Sequence, residues 1–177
     1  ATLSIGGNPT LQLLGSFGEQ SPGGPSRLME GPVELPDWGD CAEPPSPDDG
    51  PRPALMQKID VRMRPGDDGF RRGEPSGRAE MAGWFALADA EQVDAIGLLL
   101  VADAFPPPVF NTGLPVGWAP TVELTVHVRG VPAPGPLRCA FRSRFIHDGL
   151  IDEEGEMWDS TGALVCQSRQ LALTPRA

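Results

Sequence analysis

The chain has 177 residues, 40% of them hydrophobic, with 22 Gly, 21 Pro and a formal net charge of −10. That length allows one domain with a sizeable core, or one domain and an appendage. The acidic balance disfavours a nucleic-acid binder, whose affinity needs a basic field. The longest apolar run, residues 95–102, ends at Asp103 and is far too short to span a bilayer.

At the N-terminus ATLSIGGNPT lacks the segments of a signal peptide, so a cytoplasmic protein without a membrane partner is expected. Residues 1–19 read as a strand pair around a GGNP turn. Such a hairpin is marginal alone and should belong to a sheet whose other strands lie elsewhere. Residues 20–53 run through SPGGPS, PVELP and CAEPPSPDDGPRP. Proline cannot join a sheet interior and restricts the residue before it, so this stretch reads as linker.

From residue 54 the pattern becomes orderly. ALMQKIDVRMRP reads as a strand in which Ile59, Val61 and Met63 alternate with Asp60, Arg62 and Arg64. GDDGFRRGEPSG is a loop, and GRAEMAGWFALA a second strand. Asp89 with Gln92 three residues on resembles a capping box. The helix it would open, about residues 90–104, is apolar nearly all round and so expected to be buried. The run Pro106, Pro107, Pro108 stops it.

Long strands follow. In one, Val122, Leu124, Val126 and Val128 alternate with Glu123, Thr125, His127 and Arg129. In the next, Leu137, Cys139 and Phe141 alternate with Arg138 and Arg142. A weaker strand runs through Met157 and Trp158 to a turn at Asp159, Ser160, Thr161 and Gly162. The last strand puts Cys166, Ser168, Gln170 and Ala172 on one face. Two strands, a buried helix and about four strands make an α+β order, with an antiparallel sheet wrapped around the helix. Cys41, Cys139 and Cys166 have no metal-ligand spacing and neither His127 nor His147 has a ligand cluster, so no metal site is supported.

Three stretches carry a resemblance to a known family: WAPTVELTVHVRG, CAFRSRFIHDGL and EMWDSTGALVCQSRQLAL. In them the chain resembles the acyl-CoA thioesterase II-like family of double-hotdog proteins, over roughly residues 54–177. The resemblance implies a complete second hotdog there, with residues 1–19 as the terminal strand pair of an otherwise absent first one. It also implies hydrolysis of an acyl-CoA thioester, without a cofactor, by a water held among a carboxylate, a hydroxyl and an amide.

By position, Gln170 falls on the family's Gln and Glu123 where its catalytic carboxylate is expected. An ungapped alignment places Arg144 where the hydroxyl is wanted, leaving Thr125 or Ser168 as substitutes. Arg138, Arg142 and Arg144 form a stripe that suits the phosphates of coenzyme A. The same stripe also reads as a solvated face neutralised by Asp152, Glu153, Glu154 and Glu156. The implied partners are acyl-CoA and either the missing first hotdog or another copy of the chain. The rival reading is a non-catalytic acyl-thioester-binding or assembly module.

Overall fold

The computed structural model describes residues 1–19, 27, 30–44 and 54–175. Two short strands, β1 (Thr2–Ile5) and β2 (Asn8–Gln12), form the expected antiparallel hairpin. It makes a two-stranded sheet of its own, and every residue of it is exposed.

The other strands share one antiparallel sheet. They are β3 (Ile59–Met63), β4 (Glu80–Leu87), β5 (Thr121–Val128), β6 (Leu137–Arg142), β7 (Ile146–His147), β8 (Leu150–Trp158) and β9 (Leu164–Leu173). Their order is β3-β4-β6-β8-β9-β5, with the short β7 on β8. Strands β3 and β5 are therefore the ends of this order.

One face of the sheet is apolar because its residues alternate at the strand period. Val61, Met63, Met81, Phe85, Leu137, Cys139, Phe141, Ile151, Met157 and Cys166 are buried there. They form one cluster with Leu98, Val101, Phe105 and Val109 from the helical segment and its exit. This is the sheet around a helix that the sequence predicts.

The helix is much shorter than expected. Regular α-helix covers only α1 (Gly97–Val101), extended by single turns at both ends. Ala90 has φ +60°, a left-handed conformation that no α-helix can contain. The capping box does not form either: Gln92 Nε2 donates to the carbonyl of Pro132 at 2.7 Å, not back to Asp89. Asp94 does the local work instead, its Oδ1 accepting the Gly97 N–H at 2.6 Å. Burial is also one-sided, since Leu98 and Val101 are fully enclosed while Ile96 is 75% exposed.

Part of the expected linker is docked on the domain. Ala42 exchanges both backbone hydrogen bonds with Met63, so this segment adds to the free side of β3. Cys41 is buried, Trp84 Nε1 donates to the Pro36 carbonyl at 2.9 Å, and Arg62 lies over the Trp38 ring at 4.9 Å. Proline excludes a stretch from a sheet interior but not from its edge. Most of the remaining linker, residues 20–26, 28, 29 and 45–53, lies outside the described residues.

Candidate active site

The sheet's inner face becomes polar at one end of the helical segment. Gln170 on β9 is buried, and its Nε2 donates to Asp103 Oδ1 at 3.0 Å and to Thr121 Oγ1 at 2.6 Å. A carboxylate, a hydroxyl and an amide thus meet around one nitrogen. Asp103 and Thr121 are exposed on their other sides, so the cluster opens to solvent.

Each side chain is delivered by a different element. Asp103 follows α1, in a tightened turn where its N–H bonds the Leu100 carbonyl. Two residues on, Phe105 stacks at a tilt on Phe141 of β6, with ring centroids 4.9 Å apart. Phe141 in turn needs Gly155 on the neighbouring strand, because a Cβ there would stand 2.6 Å from Phe141 Cε1. The missing side chain at residue 155 therefore lets the aromatic pair pack and anchors the helix exit that carries Asp103.

Thr121 reaches the site through a β-bulge. It pairs with Ala172, whereas Glu123 pairs with Leu171, so Val122 is the extra residue. Strict alternation puts Thr121 and Glu123 on one face; the bulge separates them. Thr121 shares the inner face with Gln170 and Ala172. Glu123 is exposed on the outer face, where the Thr125 hydroxyl donates to its Oε1. The structure thus brings Gln170 to the cluster but not Glu123.

The hydroxyl that stands in the cluster is that of Thr121, and Arg144, where the ungapped alignment seeks one, lies elsewhere. Arg144 lies past the end of β6 and bonds Glu154 at 2.6 Å. Arg142 pairs with the same carboxylate at 3.1 Å, and Arg138 rests on the Trp84 ring at 5.0 Å. Each arginine of the stripe already has a protein partner on or beside the outer face.

Sequence reasoning missed Asp103 and Thr121. The signal for the first was its position: an acid ending an otherwise apolar helical run. The second lay within the quoted strand, hidden by the alternation rule that the bulge breaks.

The site's carboxyl groups are not ordinary. Crowding by protein desolvates Asp103 and raises its pKa, and the hydrogen bond from Gln170 offsets this in part. Desolvation thus makes Asp103 a better base than a fully hydrated carboxylate. The second Asp103 oxygen and the Thr121 O–H, which has no acceptor among the described residues, can hold a water between them. Among the described residues no group of three or more His, Cys, Asp and Glu is placed to hold a metal ion. No helix there is long and apolar enough to cross a membrane.

Comparison with known proteins agrees with this architecture. A solved Thermobifida fusca structure, of a protein assigned as a thioesterase II, is 33% identical with TM-score 0.74, covering 88% of this chain and 58% of that one. An Alicyclobacillus acidocaldarius protein with the hotdog fold superposes with TM-score 0.72 at 21% identity, covering 99% of this chain and 66% of that one. Uncharacterised proteins of Mycobacterium bovis and Mycobacterium tuberculosis are 36% identical over 104 residues, 59% of this chain and 35% of theirs. The chain thus spans about a third of those curated relatives and somewhat over half of the Thermobifida structure. The model of the acyl-CoA thioesterase C-terminal domain matches residues 38–174, including the docked segment before β3 and all three residues of the cluster. The chain has the hotdog fold and belongs to the acyl-CoA thioesterase C-terminal domain family.

Proposed function

We propose that this domain hydrolyses an acyl-CoA thioester to a carboxylic acid and coenzyme A, with Asp103, Thr121 and Gln170 holding the attacking water. The observation that carries this reading is the convergence of Asp103 and Thr121 on Gln170 Nε2. Asp103 takes a proton from the water as its oxygen attacks the thioester carbonyl. Thr121 orients the water, and Gln170 fixes both partners so that little reorganisation is needed in the transition state. No cofactor enters this chemistry. The three cysteines are buried and unpaired, which suits a reducing compartment such as the cytoplasm.

The test is release of free thiol from a panel of saturated acyl-CoA thioesters of short to long chain. Turnover of at least one of them is expected, falling about tenfold or more in Thr121→Ala, a loss typical of a misplaced reactant. Tight binding of acyl-CoA without turnover would favour the non-catalytic reading.

The partner reading also has structural support. Strand β5 ends the sheet order with exposed residues, among them Val122, and Trp118 just before it is 76% exposed. The hairpin adds Leu3, Ile5 and Leu11, all more than half exposed. An open edge with exposed apolar side chains is a template for another chain. A second hotdog half, from the first hotdog or from another copy, would cover this edge and close the exposed side of the Asp103–Thr121 cluster. Light scattering should therefore give a particle larger than the 18.8 kDa of this chain. A monodisperse monomer of that mass would overturn the assembly reading.

A further inference from the structure

Beside the cluster stands a fourth polar residue that the mechanism above does not use. Glu153 on β8 is the register partner of Gln170, on the same face of the sheet. Its strand neighbours are engaged elsewhere: Asp152 accepts the backbone N–H groups of Arg144 and Phe145, and Glu154 pairs with Arg142 and Arg144. The Glu153 carboxyl has no hydrogen bond or ion pair among the described residues. A half-buried carboxyl on the inner face without a partner costs stability unless it is kept neutral or serves a reaction.

Resting on the proposed hydrolysis, we propose that Glu153 is the acid of this site, giving its proton to the departing thiolate sulfur while Asp103 acts as base. The surroundings supply the means. Burial raises the Glu153 pKa first, and the negative charges of Asp103 and Asp152 add to it, bringing it to about 8. The groups set beside it are Gln170, its register partner on β9, and the carboxyls of Asp103 beyond α1 and Asp152 on its own strand. None of these is positive, and the nearby Arg142 and Arg144 are held by Glu154. At neutral pH a Glu153 titrating near 8 is mostly protonated and can give a proton, whereas Asp103 meets Gln170 Nε2 as an acceptor, and carboxyl groups in different surroundings can take opposite roles.

The step balances. Water attacks the carbonyl carbon as its proton passes to Asp103, giving a tetrahedral oxyanion. The oxyanion collapses, the C–S bond breaks, and sulfur leaves with the bonding pair and takes the Glu153 proton. The products are the carboxylic acid and the free thiol of coenzyme A. Asp103 is left protonated and Glu153 ionised, and transfer of one proton between them restores the site.

The experiment compares two thioesters of one saturated acyl group in the full chain with its native partner. One is the CoA ester; the other is the 4-nitrothiophenyl ester, whose acidic thiol departs without a proton. Glu153→Gln should lower kcat/KM on the CoA ester about a hundredfold and leave the aryl ester within about twofold. Wild-type activity on the CoA ester should fall as pH rises through about 8, and Glu153→Gln should abolish that limb. Equal losses on both esters, or an unchanged alkaline limb, would overturn the proposal. Asp103→Asn separates the two ideas, since it should slow both esters; if it slows neither, the base assignment falls first. A readout that needs no turnover is titration of ¹³C-labelled glutamate carboxyls, with the Glu153 signal identified by its loss in Glu153→Gln. A Glu153 that titrates in the ordinary glutamate range would sink the proposal.

Discussion

Asp103→Asn should reduce kcat for acyl-CoA hydrolysis by about 10³-fold, within the range expected for loss of a general base. That is about 4 kcal/mol of transition-state stabilisation at about 1.4 kcal/mol per decade. The substitution is nearly isosteric, and its amide oxygen can still accept the Gln170 hydrogen bond that Asp103 Oδ1 accepts at 3.0 Å. KM should therefore move little, and the loss should fall on kcat. The wild-type rate should rise with pH through the Asp103 pKa, which desolvation places above the usual aspartate value. Only the ionised form of a base is active, so this is the acidic limb of the profile. Glu123→Gln provides the contrast. Glu123 is exposed on the outer face, beyond the bulge at Val122, and its loss should leave kcat within about twofold. If Glu123→Gln proved the crippling change and Asp103→Asn the silent one, the site assembled around Gln170 would be wrong. Steady-state thiol release by both variants decides it.

How far the sequence could be read follows from which signals are local. The alternation in β3 and β6 and the turn at residues 159–162 depend on neighbouring residues only, and they appear where the pattern puts them. The facing of Gln170 was legible for the same reason, since β9 runs without a bulge from Cys166 to Ala172. Thr121 was not, because one extra residue inverts every facing before it and no local composition marks Val122 as that residue. Helix length was misjudged because apolar content predicts burial, whereas the start depends on backbone geometry at Ala90 and on Asp94 rather than Asp89. Asp103 has no strong motif of its own. It becomes a site residue only when β9 delivers Gln170 across 67 positions of sequence. The docked segment before β3 was hidden by its prolines, which mask the short stretch around Ala42 that pairs with Met63.

The second large effect concerns the hairpin that carries both Glu153 and Gln170. Strands β8 and β9 are joined at Asp159, whose carboxylate gathers the turn. Its Oδ1 accepts the Thr161 N–H at 2.9 Å, the Thr161 O–H at 2.7 Å and the Ala163 N–H at 3.0 Å. Its Oδ2 accepts the Ala133 N–H at 3.0 Å, fastening the β5–β6 connection to the same turn. Burial alone would raise the pKa of this carboxyl, but the hydrogen bonds from Ala133, Thr161 and Ala163 together hold it below the ordinary value. Asp159→Ala removes the acceptor and leaves these donors to find water or go unpaired. The cost should be about 3 kcal/mol, or a fall in Tm of about 8 °C for a domain of this size. The pH dependence has a definite sign. A carboxyl whose pKa is depressed by folding contributes stability above its unfolded pKa of about 3.9 and loses it as pH falls through the folded value. The gap between wild type and Asp159→Ala should therefore be widest at neutral pH and shrink below about pH 4. Urea unfolding at pH 7 and near pH 3 measures both. A gap that held constant down to pH 3 would mean the Asp159 charge contributes nothing, leaving the turn to backbone geometry and Gly162 alone.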